Sequence, residues 1–409
     1  MSSNKEYKYT ILTILLVLKY NFAKQELTKL REENLYRILK RVSLQRSGQA
    51  IVNGKQVINL CSNDYLGLSE NKCVLREMKK KLTRVSQCSS RLMCGNSVVL
   101  EQLEQRLANH RRTESSLVYP VGYMANIGVI SVLADKDSIV FSDELNHASI
   151  IDGCRLSRAV TYIFKHNDIN DLEKLIMRKT NMRTGKKIII ITEGLFSMDG
   201  DMSRLREICD IAKKYDAMTI VDDAHGDFIF GASNLFSGVP SHQRVTKQID
   251  VHISSLSKAL GCFGGYVATT HTVREFLINK SRQFIYTSAL PDHLCASALL
   301  AISISMKGHL QKRLFSNVLL LKKKLADLGF LIGQTKGQII PVIVGNENLA
   351  LEFSNELLDN GVLAQAVRYP TVKKGSARLR VTVTSLLTND DLACAISSFE
   401  TAGKKCEII

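Results

Sequence analysis

Lys187-Ile188-Ile189-Ile190-Ile191-Thr192, with its four consecutive isoleucines, decides the fold class of this chain. An apolar β-branched run without polar alternation suits a strand covered on both faces, as in a parallel sheet with a helix layer on either side. Working outward, helical and strand signals alternate. Val99 to Arg112 places Leu100, Leu103 and Leu107 at helical spacing, and Asp137 to Phe141 then leads into Ser142-Asp143. Asp171 to Arg178 reads as helix before the isoleucine strand. Leu205 to Tyr215 reads as helix before a strand over Met218 to Val221. This alternation, from about Glu101 onward, predicts an α/β fold with a mostly parallel sheet flanked by helices.

After about Leu300 the pattern changes. One long helical segment is expected through Leu328, followed by Ile339 to Val344, Glu347 to Asn360, Leu363 to Val367, Arg378 to Val383 and a final helix. Thr388 caps that helix, with Asp391 three residues on. Two strands and two helices here predict a small C-terminal α+β domain. The expected division is an extension over 1–24, an N-terminal arm over 25–75, a large domain over 76–305 and a small one over 306–409.

At 409 residues, with 45% apolar and 23% charged residues, the chain is long enough for a large core and is not disordered. Its formal charge of +16 comes from scattered residues, with short clusters such as Lys79-Lys80-Lys81 and Lys322-Lys323-Lys324. These read as solvated helix faces. No nucleic-acid motif accompanies them, whereas small anions such as a phosphate cofactor or a coenzyme A thioester remain compatible. The ten cysteines show no C-x-x-C pair, which argues against a zinc ribbon or a disulfide framework and for buried thiols in a reducing cytoplasm. Ile11 to Leu18 follows Lys5 and Lys8 and so mimics a signal peptide, but it is far shorter than the roughly 20 residues of a membrane span. A short helix, or an extension upstream of the true start, is expected there, with neither export nor membrane insertion.

In parallel sheets functional residues gather at the carboxyl ends of strands. Four polar runs fall there: Asn146-His147, Glu193, Asp222 to His225, and Ser255 to Lys258. Taken singly, each reads as an ordinary loop or turn residue. Together, Lys258 and Asp222 match what pyridoxal phosphate needs: an amine to form a Schiff base with its aldehyde, and a carboxylate to keep its pyridine nitrogen protonated. Gly122-Tyr123, just before an apparent helix at Met124-Ala125-Asn126, offers free amides to the cofactor's phosphate, with the Ser255 hydroxyl beside it. No metal site is indicated.

Three longer motifs carry a family resemblance: Ser62-Asn63-Asp64-Tyr65-Leu66-Gly67-Leu68, Thr192-Glu193-Gly194-Leu195-Phe196-Ser197-Met198-Asp199-Gly200-Asp201, and Asp222-Asp223-Ala224-His225-Gly226. In this order they resemble the α-oxoamine synthases, from about Leu27 to the C-terminus. The resemblance implies the fold-type I architecture of pyridoxal phosphate enzymes, a homodimer, and condensation of a small amino acid with an acyl-coenzyme A, with loss of carbon dioxide. Ser89-Ser90-Arg91, Gly95-Asn96-Ser97 and Arg368-Tyr369-Pro370-Thr371-Val372 are similar to the branch that joins L-alanine to a pimeloyl thioester. Glycine with acetyl-coenzyme A is the alternative pair, and a noncatalytic anion-binding scaffold the alternative class.

By resemblance, Lys258 is the Schiff-base lysine, Asp222 pairs with the pyridinium nitrogen, His225 hydrogen-bonds the phenolic oxygen and His147 stacks on the ring. Gly122, Tyr123, Ser197 and Ser255 are implied as phosphate anchors, with Thr287 or Ser288 from a partner chain. Arg380, with Asn63 nearby, is implied to hold the amino-acid carboxylate, and Arg368 either approaches the acyl end or forms a structural ion pair. The chain departs from the family pattern at Ser86-Gln87-Cys88, where a glycine-rich triplet is usual, and at Leu100, where histidine is common. Gly226-Asp227-Phe228 replaces a Gly-x-Gly turn, Val121 a small residue, and Ser255 a threonine whose hydroxyl it retains.

Overall fold

The computed structural model describes residues 19–180, 187–232 and 235–409. The expected helix at Ile11 to Leu18 lies outside the described residues. A helix over Asn21–Glu32 buries no side chain and leads to strands β1 (Val42–Leu44), β2 (Gln49–Val52) and β3 (Lys55–Asn59). Asn53 and Gly54, both at positive φ, form the two-residue turn of the β2–β3 hairpin, the conformation that asparagine and glycine tolerate best.

The central sheet contains β4 (Ser115–Tyr119), β5 (Ile139–Asp143), β6 (Val160–Phe164), β7 (Ile188–Glu193), β8 (Ala217–Asp222), β9 (Val251–Ser255) and β10 (Gly265–Thr269). Its order is β4-β10-β9-β8-β7-β5-β6. Pairing is parallel from β9 through β6, while β10 runs antiparallel to both of its neighbours. The isoleucine strand shows why both faces are apolar. Ile189 and Ile191 enter one buried cluster and Ile190 the cluster on the opposite face. Because β5, β7, β8 and β9 are parallel, Asp143, Glu193, Asp222 and Ser255 end at one edge of the sheet.

The long helix expected through Leu328 is two helices, Asp292–Ser305 and His309–Asp327. Gly308, at φ +78, breaks them, a conformation that a side chain with a Cβ rarely adopts. The C-terminal region contains β11 (Ile339–Gly345), β12 (Val362–Leu363), β13 (Gln365–Val367) and β14 (Ala377–Thr382). It forms a three-stranded antiparallel sheet, β11-β14-β13, in which each of the segments expected over 339–344, 363–367 and 378–383 supplies a strand, one more than the expected count of two. The segment expected as one strand over Leu363 to Val367 divides at Ala364: β12 pairs with β3 and β13 with β14. Thr388 and Asp391 form the expected capping box on the final helix, Asn389–Lys405. Phe353 and Phe399 pack with Phe330 beneath that helix, with centroids 5.6 to 5.8 Å apart.

All ten cysteines are unpaired, but Cys73, Cys88, Cys94 and Cys394 are exposed rather than buried. Among the described residues no helix is long and apolar enough to cross a membrane, and no cluster of side chains is arranged to hold a metal.

Candidate active site

Lys258 sits in the turn after β9, where the Gly261 amide bonds its carbonyl at 2.9 Å. Gly261 has φ +59, and a Cβ there would lie 2.3 Å from the Ser69 amide nitrogen, so the turn closes only on glycine. The lysine side chain enters a cavity of about 220 Å³ whose wall includes Gly122, Asn126, His147, Glu193, Asp222 and His225. Burial holds its amine below the ordinary lysine range. Asp222 opposes that shift and Arg380 adds to it.

Asp222, at the end of β8, is aimed by two donors: Asn126 Nδ2 lies 2.6 Å from Oδ2, and the Ala224 amide lies 3.0 Å from Oδ1. His225 follows on the same turn. Its Nδ1 is 2.6 Å from Tyr65 Oη, and its carbonyl accepts Gln338 Nε2 at 2.8 Å. Burial, then the charges of Lys258 and Arg380, hold its pKa well below the usual imidazole value, so the ring is neutral. When Tyr65 donates to Nδ1, the shorter of its two contacts, the proton of this neutral ring resides on Nε2.

His147 caps the helix Ala148–Ser157, accepting the Ser149 amide on Nδ1 at 3.2 Å. An accepting Nδ1 places the ring proton on Nε2 here as well. Burial again lowers the pKa, with Asp222 pulling upward. Tyr123 meets His147 edge-on at 6.2 Å.

The helix expected to start near Met124 begins at Gly122, and Val121 at its N-cap offers no side-chain acceptor. Its first amides are therefore free for an anion, with the helix dipole favouring negative charge. Backbone approach is close here. A Cβ on Gly122 would lie 3.3 Å from Ser255 Cβ, and one on Gly265 would lie 2.5 Å from the Gly122 nitrogen. Ser255 Oγ, 2.7 Å from Ser257 Oγ, stands at the same rim.

Arg380, on β14, is fixed by the Ser197 carbonyl at 2.6 Å from Nε and by Thr382 Oγ1 at 2.9 Å from Nη1. Both terminal nitrogens lie 3.3 Å from Asn63 Oδ1. Arg378, two residues earlier, pairs with Asp199. Arg368 donates to the Tyr36 carbonyl at 3.1 Å and forms no ion pair among the described residues. Ser197 contacts Arg380 through its carbonyl and is not part of the Lys258 cavity wall. Thr287 and Ser288 line a separate cavity with Arg91 and Leu100.

Tyr65 and Asn126 join the site without having been singled out individually, although both lie inside stretches that the sequence reading quotes. Arg111 gives no such signal. Its guanidinium, fully buried behind the Asp222 turn, donates to Asp223 Oδ2 at 3.0 Å and to Tyr266 Oη at 2.9 Å, and Nη2 lies 3.0 Å from Asp227 Oδ1.

A buried amine, a carboxylate steered by two donors, neutral histidines and a helix start pressed against a serine form a donor set that fits pyridoxal phosphate. Two further atoms in this wall, Ser254 Oγ and Glu193 Oε1, are buried without a partner, as expected where a polar ligand completes the site.

A family model described as aminotransferase class I and II matches residues 55–399. The 8-amino-7-oxononanoate synthase of Thermoanaerobacter pseudethanolicus is 42% identical over 392 residues, 95% of this chain and 98% of that protein. S. paucimobilis serine palmitoyltransferase, solved with bound PLP and myriocin, is 30% identical, with a TM-score of 0.89 over 96% of this chain and 100% of that one. The 8-amino-7-oxononanoate synthase of Francisella tularensis is 27% identical, with a TM-score of 0.71 over 86% of this chain and 99% of that one. Fold, cavity and full-length similarity agree: the chain belongs to the aminotransferase class I and II family and, within it, to the pyridoxal phosphate-dependent α-oxoamine synthases.

Proposed function

We propose that this protein condenses L-alanine with pimeloyl-coenzyme A, releasing coenzyme A and carbon dioxide and forming 8-amino-7-oxononanoate for biotin synthesis. The observation that carries this reading is the 42% identity, across 95% of the chain, to a relative named for that product. The arrangement of the cavity supports the chemistry.

Pyridoxal phosphate, bound through Lys258, supplies an electron-accepting ring that stabilises a carbanion at the amino-acid Cα. Asp222, held by Asn126 and Ala224, keeps a proton on the ring nitrogen. His225 would donate to the phenolic oxygen, and His147 would lie against the ring. Gly122, Tyr123 and Ser255 would surround the phosphate. The Lys258 amine, its basicity lowered by burial, would serve as the base that removes the Cα proton and later returns it. Arg380 receives the substrate carboxylate on its terminal nitrogens, alongside Asn63. Arg368 braces the Tyr36 segment at the acyl side.

The position of Thr287 and Ser288 outside the Lys258 cavity of their own chain suits a homodimer in which each chain lends this pair to the other site. Unpaired cysteines suit a reducing cytoplasm.

A second reading keeps the chemistry and changes the substrates. It is favoured by the TM-score of 0.89 to a serine palmitoyltransferase. Thiol release from cofactor-loaded protein, measured for L-alanine, glycine and L-serine against pimeloyl-, acetyl- and palmitoyl-coenzyme A, decides between them. Turnover confined to L-alanine with the pimeloyl thioester supports the proposal. Turnover confined to another pair overturns its substrate assignment.

A further inference from the structure

Glu193 ends β7 directly beside Asp222 at the end of β8, and both carboxyl groups belong to the cavity that receives Lys258. Two carboxylates so placed do not both ionise at low cost. Their hydrogen bonds decide which one carries the charge. Asp222 accepts from Asn126 and from the Ala224 amide, whereas the Glu193 carboxyl has no comparable donor among the described residues. Glu193 Oε1 is buried without any partner, in a residue only 3% exposed. A bare carboxylate oxygen there would cost several kcal/mol, but a hydroxyl in that position is a donor ready for a ligand.

We propose that Glu193 is a positioning residue that works as a neutral carboxylic acid, its unpartnered oxygen presenting a hydroxyl to an acceptor on the bound cofactor or amino acid. The remaining groups that face it are Asp143 at the end of β5 and Lys258 beyond β9. Burial, then Asp222, hold the Glu193 carboxyl well above the ordinary range; Lys258 opposes this and Asp143 reinforces it. Asp222, aimed by Asn126 and the Ala224 amide, is then the carboxylate left to meet the ring nitrogen. This inference rests on the cofactor reading of the cavity and is independent of the acyl donor.

The test is a pH titration of the visible absorbance band of cofactor-loaded protein, comparing the native chain with Glu193→Gln. Glutamine reproduces the neutral acid in shape and charge, so the titration midpoint is expected to stay in place. If Glu193 is ionised, the substitution removes a negative charge beside Lys258 and lowers the midpoint by about one unit or more, which would overturn the proposal. The second readout is deuterium exchange at Cα of L-alanine and of glycine, which needs no acyl donor. Glu193→Leu is expected to slow exchange about tenfold or more, with Glu193→Gln recovering most of the loss. Equal rates in the two variants would contradict the positioning role. Absence of thiol release with every acyl donor, beside an unmoved titration midpoint, would count against the proposed reaction and leave Glu193 as described.

Discussion

Tyr65 Oη stands 2.6 Å from His225 Nδ1, joining two motifs that lie 160 residues apart in the chain. This bond selects the histidine tautomer: with the phenol as donor, an accepting Nδ1 leaves the proton on Nε2. Tyr65→Phe removes the donor and frees the ring to adopt either tautomer. Turnover is expected to fall about tenfold, with a loss of about 1 kcal/mol in urea denaturation. Turnover equal to that of the native chain would show that the tautomer is set elsewhere.

Asn126 aims Asp222 through a 2.6 Å bond to a carboxylate oxygen. In Asn126→Leu the carboxylate loses a donor and its orientation while its charge remains. Cofactor affinity, read by equilibrium dialysis, is expected to weaken about tenfold.

Arg111 is the buried cation behind the Asp222 turn. Removing one partner of a buried ionic cluster leaves uncompensated charge, so Arg111→Leu is expected to cost about 3–5 kcal/mol in denaturant unfolding. Adding Asp227→Asn removes one of the two carboxylates that lose this cation and is expected to restore part of that loss. Asp223, the other, is held up at about 7 by burial and by Asp227 against the pull of Arg111, and is the more easily neutralised of the two.

His166 lies between Asp143 and Asp201, at 2.8 and 2.9 Å. Burial disfavours its charged form, but the two carboxylates outweigh it and raise the pKa to about 10. A raised folded-state pKa stabilises the fold fully below the unfolded value of about 6.5, and the benefit disappears as pH climbs through about 10. The melting temperature of the native chain should therefore exceed that of His166→Gln by several degrees at about pH 6, with the gap closing near pH 10.

The parallel sheet and its catalytic edge were legible because apolar runs and polar strand ends are local signals. Lys258, Asp222, His225 and His147 could be read from motif and strand position, and the structure brings all four into one cavity. Arg111 was not legible: on a helix over Val98–Arg111 a terminal arginine reads as solvated, and only tertiary packing brings Asp223 and Asp227 to it. The departure at Gly226-Asp227-Phe228 gains its meaning the same way. Asp227 pairs with Arg111 and His110, and Phe228, at φ +62, stacks on the His110 ring at 4.1 Å. The helix break at Gly308 was missed because the apolar spacing continues across it, while the backbone there turns left-handed.

The most direct test of the account follows both leaving groups at once. Cofactor-loaded protein is given carboxyl-labelled L-alanine and pimeloyl-coenzyme A, and labelled carbon dioxide and free thiol are counted against a Lys258→Ala blank. Equal amounts of the two, both abolished in the blank, are the predicted result. Thiol release without carbon dioxide, or release that survives the loss of Lys258, would contradict a decarboxylative condensation at this site.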